Sequence, residues 1–124
     1  MTDKSDEQVA SAWIEERKNY EERRRMQSLW ALKALDNICK TDPARGLRIV
    51  EQICNEDHSD SIIEVLAAGP MENLLANHGR EIIEQVEEIA RRNPVFRELL
   101  GGVWQRETET AVWERIVAAR SQTW

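Results

Sequence analysis

Histidine and cysteine each occur only twice in this 124-residue chain, which leaves few side chains for a metal centre or a nucleophilic dyad. Neither Cys-x-x-Cys nor His-Glu-x-x-His is present, so the usual zinc spacings are missing. The segment Asp57, His58, Ser59, Asp60 lacks the glycine and terminal glutamate of a calcium loop and reads as a polar surface loop. Gly101-Gly102 has no following lysine, which removes a phosphate-cradling loop. No catalytic residue, no metal ligand and no cofactor-binding residue is therefore assigned. No apolar run approaches the roughly 20 residues that cross a bilayer. The N-terminal MTDKSDEQVASAW lacks the basic-then-apolar order of a signal peptide. The expectations are no membrane partner and a cytoplasmic location. Cys39 and Cys54 lie in apolar patterns and read as small buried thiols of a reducing compartment.

A basic excess is also missing, the net charge being −6. Residues 36–60 and 61–93 each carry six acids against three bases, whereas residues 94–124 balance at four and four. An acidic middle disfavours nucleic acid, which needs a basic stripe. It suits a basic protein partner through electrostatic steering. The one basic run, Arg23-Arg24-Arg25, stands among Glu15, Glu16, Glu21 and Glu22 and is nearly neutral, with i,i+4 pairs such as Glu21–Arg25 holding a helix.

Glycine and proline are absent before Pro43. A helix is expected from about residue 6 to 40, broken between Tyr20 and Ser28, with Ser5 and Gln8 in capping-box spacing. Residues 1–27 read as a charged helix or arm docking by Trp13 and Ile14. Residues 28–124 read as the helical core, within one domain overall. Leu29, Leu32, Leu35, Ile38 and Cys39 make one apolar stripe. Asp42-Pro43 opens the next helix, whose inner row is Leu47, Val50 and Cys54. Gly46 weakens that helix by about 1 kcal/mol relative to alanine, unless a neighbour needs the close approach.

The densest apolar pattern runs from Ile62 to Trp104 and predicts three short helices. The first starts at Ser61, in capping-box spacing with Glu64, and stops at Gly69 through a left-handed glycine cap. Pro70 begins a second at an angle to it, ending at Asn77-His78-Gly79. Ile82, Ile83, Val86, Ile89 and Ala90 line the longer run from Arg80 to Arg92. Asn93-Pro94 opens another helix through Phe96, Leu99 and Leu100, closed by Gly101-Gly102. Val112, Trp113, Ile116 and Val117 form the last. RGLRIVEQICNED and REIIEQVEEIARRN echo each other about 35 residues apart, a spacing known from stacked helical hairpins. The fold class is all-α: an irregular multi-helix bundle of antiparallel helical hairpins with weak HEAT- or tetratricopeptide-like repeat character.

AAGPMENLLANHG followed by NPVFRELLGGVW resembles a family of small bacterial proteins carrying an A-G-P-hydrophobic-E-x-L-L…H-G motif and a D/N-P-x-F-R…L-L…V-W element. Asp42-Pro43, AVWERIVAAR and Trp124 fit as well, so the likeness covers nearly the whole chain. It implies an all-helical fold and no established activity.

Candidate contact residues follow from these patterns. Glu72 and His78 belong to the motif, and their structural reading is a first-turn acid and a last-turn cap. Arg97 is placed to fix Glu72, or a carboxylate at the other helix's end, with its guanidinium fork. Glu84, Glu87 and Glu88 line an acidic helix face. Trp30, Trp104 and Trp113 read as core, while Trp13 and Trp124 near the ends read as docking tryptophans. The leading expectation is a non-enzymatic protein-binding module, in concrete form an immunity or antitoxin-like protein covering a basic partner. The alternatives are a scaffold or adaptor subunit, or a small-ligand binder or enzyme using Glu72, His78 and Arg97.

Overall fold

The computed structural model describes residues 4–121, and among these the fold is all-α. Helix α1 (Asp6–Lys18) starts at the expected capping box: Ser5 Oγ accepts from the Gln8 N–H, and Gln8 returns a bond to the Ser5 N–H. After α2 (Tyr20–Arg25) the chain turns back. Gln27 takes a left-handed φ of 54°, and the Ser28 N–H reaches the Arg23 carbonyl at 2.9 Å, the long bond of a Schellman stop. The break between Tyr20 and Ser28 is thus real. The pairing within α2 differs from expectation: Arg24 takes Glu21, and Arg23 reaches back to Glu15.

Helices α3 (Trp30–Thr41) and α4 (Pro43–Glu56) follow. Asp42 caps α4 through the Arg45 N–H, with Pro43 in the first turn, as the Asp-Pro pair predicts. Gly46 is needed for closeness, because a Cβ there would lie 2.8 Å from Cys39 Sγ and 3.1 Å from Cys39 Cα. Its helix-weakening cost is offset by the tight α3–α4 crossing.

The central stretch corrects the sequence reading. Helix α5 (Asp60–Leu66) begins one residue earlier than expected, after Ser59, and no side-chain bond caps it. It does not stop at Gly69. The chain continues through a π turn, Ala67–Met71, into α6 (Glu72–Arg92). No glycine in the described residues has positive φ, so the left-handed cap is absent. The physical reason lies in Pro70. In a regular helix its ring would meet the carbonyl four residues back and its missing N–H would open the ladder. The wider π turn accommodates both, and the Glu72 N–H reaches back five residues to the Ala67 carbonyl.

Asn77-His78-Gly79 likewise kinks the helix instead of ending it, at His78 (φ −137°, ψ 20°). A Cβ on Gly79 would sit 3.0 Å from Val112 Cγ1, so glycine there lets the last helix approach. Helix α7 (Pro94–Leu100) opens on Asn93, whose Oδ1 accepts from the Val95 and Phe96 N–H groups. Helix α8 (Thr110–Ala119) closes the described chain.

One core joins these elements. Helix α1 packs on α3 and α4, α4 on α6, and α6 on α7 and α8. Trp13, Leu35, Leu47, Ile53, Leu66, Leu74, Ile82 and Phe96 fill it. The two halves of the N-terminal stretch 1–27 differ: α1 puts Val9, Ala10 and Trp13 into the core, while α2 buries nothing. The segments that echo each other lie on α4 and on the C-terminal part of α6, which pack together. Among the described residues no helix is long and apolar enough to cross a membrane.

Candidate functional site

Two buried carboxylates organise the polar interior. Glu16, wholly shielded on α1, accepts from the Ala31 N–H at 2.9 Å and the Leu32 N–H at 3.0 Å. Helix α3 has no side-chain cap of its own. Glu16 therefore caps it from another helix, at the positive end of the α3 dipole.

Glu72, 5% exposed, opens α6. Its Oε2 accepts from the Trp104 N–H at 3.0 Å and its Oε1 from Arg106 Nε at 2.6 Å. The partner foreseen for it, Arg97, does something else. Arg97 Nη1 donates to the Ala90 carbonyl at 2.7 Å and Nε to Ser121 Oγ at 3.3 Å. Arg106 supplies the guanidinium instead, from a left-handed backbone position with φ 45°. Glu72, His78 and Arg97 do not converge, for His78 Nδ1 contacts Glu81 Oε1 at 3.2 Å.

The loop that Glu72 holds is braced along its length. The end of α7 unwinds through short bonds from Gly101 to Glu98, Gly102 to Leu99 and Val103 to Leu100. Val103 and Thr108 are buried, and the Thr108 N–H donates to the Gln105 carbonyl at 2.8 Å. Glu109 takes both Nε and Nη2 of Arg80, at 2.7 and 2.6 Å. From this frame the Trp104 side chain stands out 70% exposed.

The tryptophans exchange places relative to the sequence reading. Trp13 is 2% exposed and belongs to the core, so its docking role is withdrawn. Trp30 and Trp104 are exposed and Trp113 is half-buried, so the core assignment fails for the first two. Trp124 lies outside the described residues. Hydrophobicity cannot sort them, since an indole suits either place. The usable signal for Trp104 is its position between a Gly-Gly helix end and a run of polar residues.

Of the acidic face on α6, Glu87 is gripped by both Nε and Nη2 of Arg115, and Glu88 pairs with Arg91 at 2.8 Å. The Arg115 hydrogen bonds hold Glu87 below the usual carboxylate range. Glu84 is exposed. On α4, burial pushes Glu51 up, but hydrogen bonds from Arg92 and Asn93 outweigh it and the net shift is downward. A better-placed acidic cleft of about 290 Å³ lies between α5 and α7, with His58, Asp60, Glu64 and Glu98 around Ile63 and Val95.

Cys39 and Cys54 are free and buried, and burial pushes both thiols up to about 12. They stay neutral and unreactive at ordinary pH. Among the described residues no three His, Cys, Asp or Glu side chains gather to hold a metal ion.

The fold and this braced loop define a small all-α bundle of the type that the sequence motifs foreshadow. The chain belongs to DUF6869, a family of unknown function, which matches residues 16–124. The match spans Glu16, Glu72 and Trp104 alike. Neither a curated protein nor a solved structure matches the chain.

Proposed function

We propose that the protein is a non-enzymatic protein-binding module for a basic partner, in concrete form an immunity or antitoxin-like protein. The observation that carries this reading is Trp104: an indole held out in solvent on a loop whose backbone is fastened to a buried carboxylate. Burying Glu72 costs desolvation, and the pair it forms with Arg106 fixes the loop. A rigid aromatic pays little ordering entropy on docking, and tryptophan is the side chain most enriched in binding hot spots.

The charge of the partner follows from the acids. Asp60, Glu64, Glu107 and Glu114 have no ion pair among the described residues, whereas Asp6, Glu51, Glu72 and Glu87 are matched by arginines. With a net charge of −6, the surface attracts a basic protein at long range.

The test begins with the full chain as bait in native cells and proceeds to calorimetry on the purified pair. Trp104→Ala is expected to weaken binding by about 30-fold, the size of a hot-spot loss, and added salt to weaken it further. A Trp104→Ala variant that binds its partner as tightly as the parent chain removes the reading.

A further inference from the structure

Among the described residues four large apolar side chains stand exposed, and two of them, Met26 at 63% and Trp30 at 38%, lie four residues apart. They sit at the tip between α2 and α3, where α2 buries no residue of its own. The Schellman stop, with Gln27 at φ 54°, fixes the backbone that carries them. The tip is also basic, in a chain whose net charge is −6. Lys4 Nζ lies 5.7 Å from the Trp30 ring centre. Arg25, beside Met26, and Lys33, one turn along α3 from Trp30, have no ion pair among the described residues. Against them stands Glu22, one turn before Met26, which has no ion pair there either.

The molecule carries the matching surface. The cleft of about 290 Å³ between α5 and α7 has Ile63 and Val95 as apolar floor and no lysine or arginine in its lining. Asp60 and Glu64 at its edge have no ion pair among the described residues. A space of this size lies just below the range of small-molecule pockets and suits one long side chain. Methionine, unbranched and adaptable, fills such irregular gaps well. Within one molecule Met26 stands in solvent, so its own cleft does not hold it.

We propose that the tip of one copy docks into this cleft of a second copy. Met26 enters between Ile63 and Val95, Trp30 covers the edge, and Arg25 and Lys33 meet Asp60 and Glu64. The contact is heterologous, joining two different surfaces of the same chain, and being small it is transient. Two chains of like net charge repel, but at about 0.15 M salt that repulsion is screened beyond about 8 Å. The charges that face each other at contact attract. The Trp104 loop takes no part, so either reading can fail alone.

Sedimentation equilibrium of the full chain in about 0.15 M salt reads the contact. The weight-average mass should rise above that of one chain as concentration goes from about 20 µM to about 1 mM. Arg25→Glu combined with Met26→Ser disables the tip, and Glu64→Lys disables the cleft. Both changes fall on exposed positions, so the core is left alone, and each variant should stay monomeric. Mixed in equal amounts, the two variants hold one intact tip and one intact cleft between them and should form a heterodimer. Trp104→Ala should associate as the parent does. A parent chain that stays monomeric, association that survives in either variant, a mixture that stays monomeric, or association lost in Trp104→Ala each overturns the assignment.

Discussion

Glu16 and Glu72 are both buried glutamates that accept backbone N–H groups, yet they serve different ends. Glu16 binds two amides at the start of α3 and touches no cation among the described residues. Glu72 binds one loop amide and the guanidinium of Arg106, a side chain 66% exposed. The first carboxylate closes the architecture, since removing it strands a buried and a part-buried donor at the start of α3. The second sits at a border, where one partner can return to solvent. The same functional group thus builds structure in one place and presents a surface in the other.

The contrast is broken most directly at Glu16. Glu16→Ala should cost about 3 kcal/mol, from two charge-assisted bonds lost at the start of α3. Urea unfolding measures it, and a loss below about 1 kcal/mol removes Glu16 as the cap of α3. Glu72→Ala should cost less, about 1–2 kcal/mol, because Arg106 is resolvated. Its signature is local: trypsin should cut after Arg106 faster than in the parent chain, with other sites unchanged. Equal stability losses for the two variants would erase the distinction.

A third acid supplies a surface control. The hydrogen bond from Lys18, with those from the Ser59 hydroxyl and N–H, holds Asp57 at about 2, below its ordinary value. A lowered folded-state pKa contributes stability above the unfolded value near about 4 and loses it as pH falls toward 2. Asp57→Asn should therefore be less stable than the parent at pH 6, by under about 1 kcal/mol for so accessible a pair. The two unfolding midpoints should draw together as pH falls through 2 and meet only below it, and a gap unchanged from pH 6 down to pH 2 contradicts the pairing. The smallest effect belongs to Trp104→Ala, within about 0.5 kcal/mol of the parent. A larger loss would mean that the indole supports the loop instead of being shown by it.

Much of the fold is legible locally. Ser5 with Gln8, Asp42-Pro43 and Asn93-Pro94 each announce a helix start because the capping atoms are three residues away or fewer. The cap that Glu16 gives α3 is invisible by the same logic: its partners lie 15 and 16 residues on, and nothing in EERKNYEERRR distinguishes it from a solvated acid. Gly69-Pro70 misleads because turn chemistry is read one helix at a time, whereas a π turn is tolerated through packing on both sides. Glu72 is legible as a motif residue. Its partner is not, since Arg97 and Arg106 are equal candidates until the α7 end is traced.

The π turn also sets the phase of everything after it. An α-helix advances about 100° per residue, so one residue more would re-aim the remainder of the rod if the wider π turn did not absorb it. Deleting Gly69, whose absent side chain touches nothing, would force Pro70 into a regular ladder, where its ring meets the carbonyl four residues back at a cost of about 3 kcal/mol. Were the wide turn kept with one residue fewer, Leu74, Leu75 and the whole second half of the helix would swing about a quarter-turn from the core. A position that looks the most expendable in the chain is thus the one where length, and not chemistry, is under constraint.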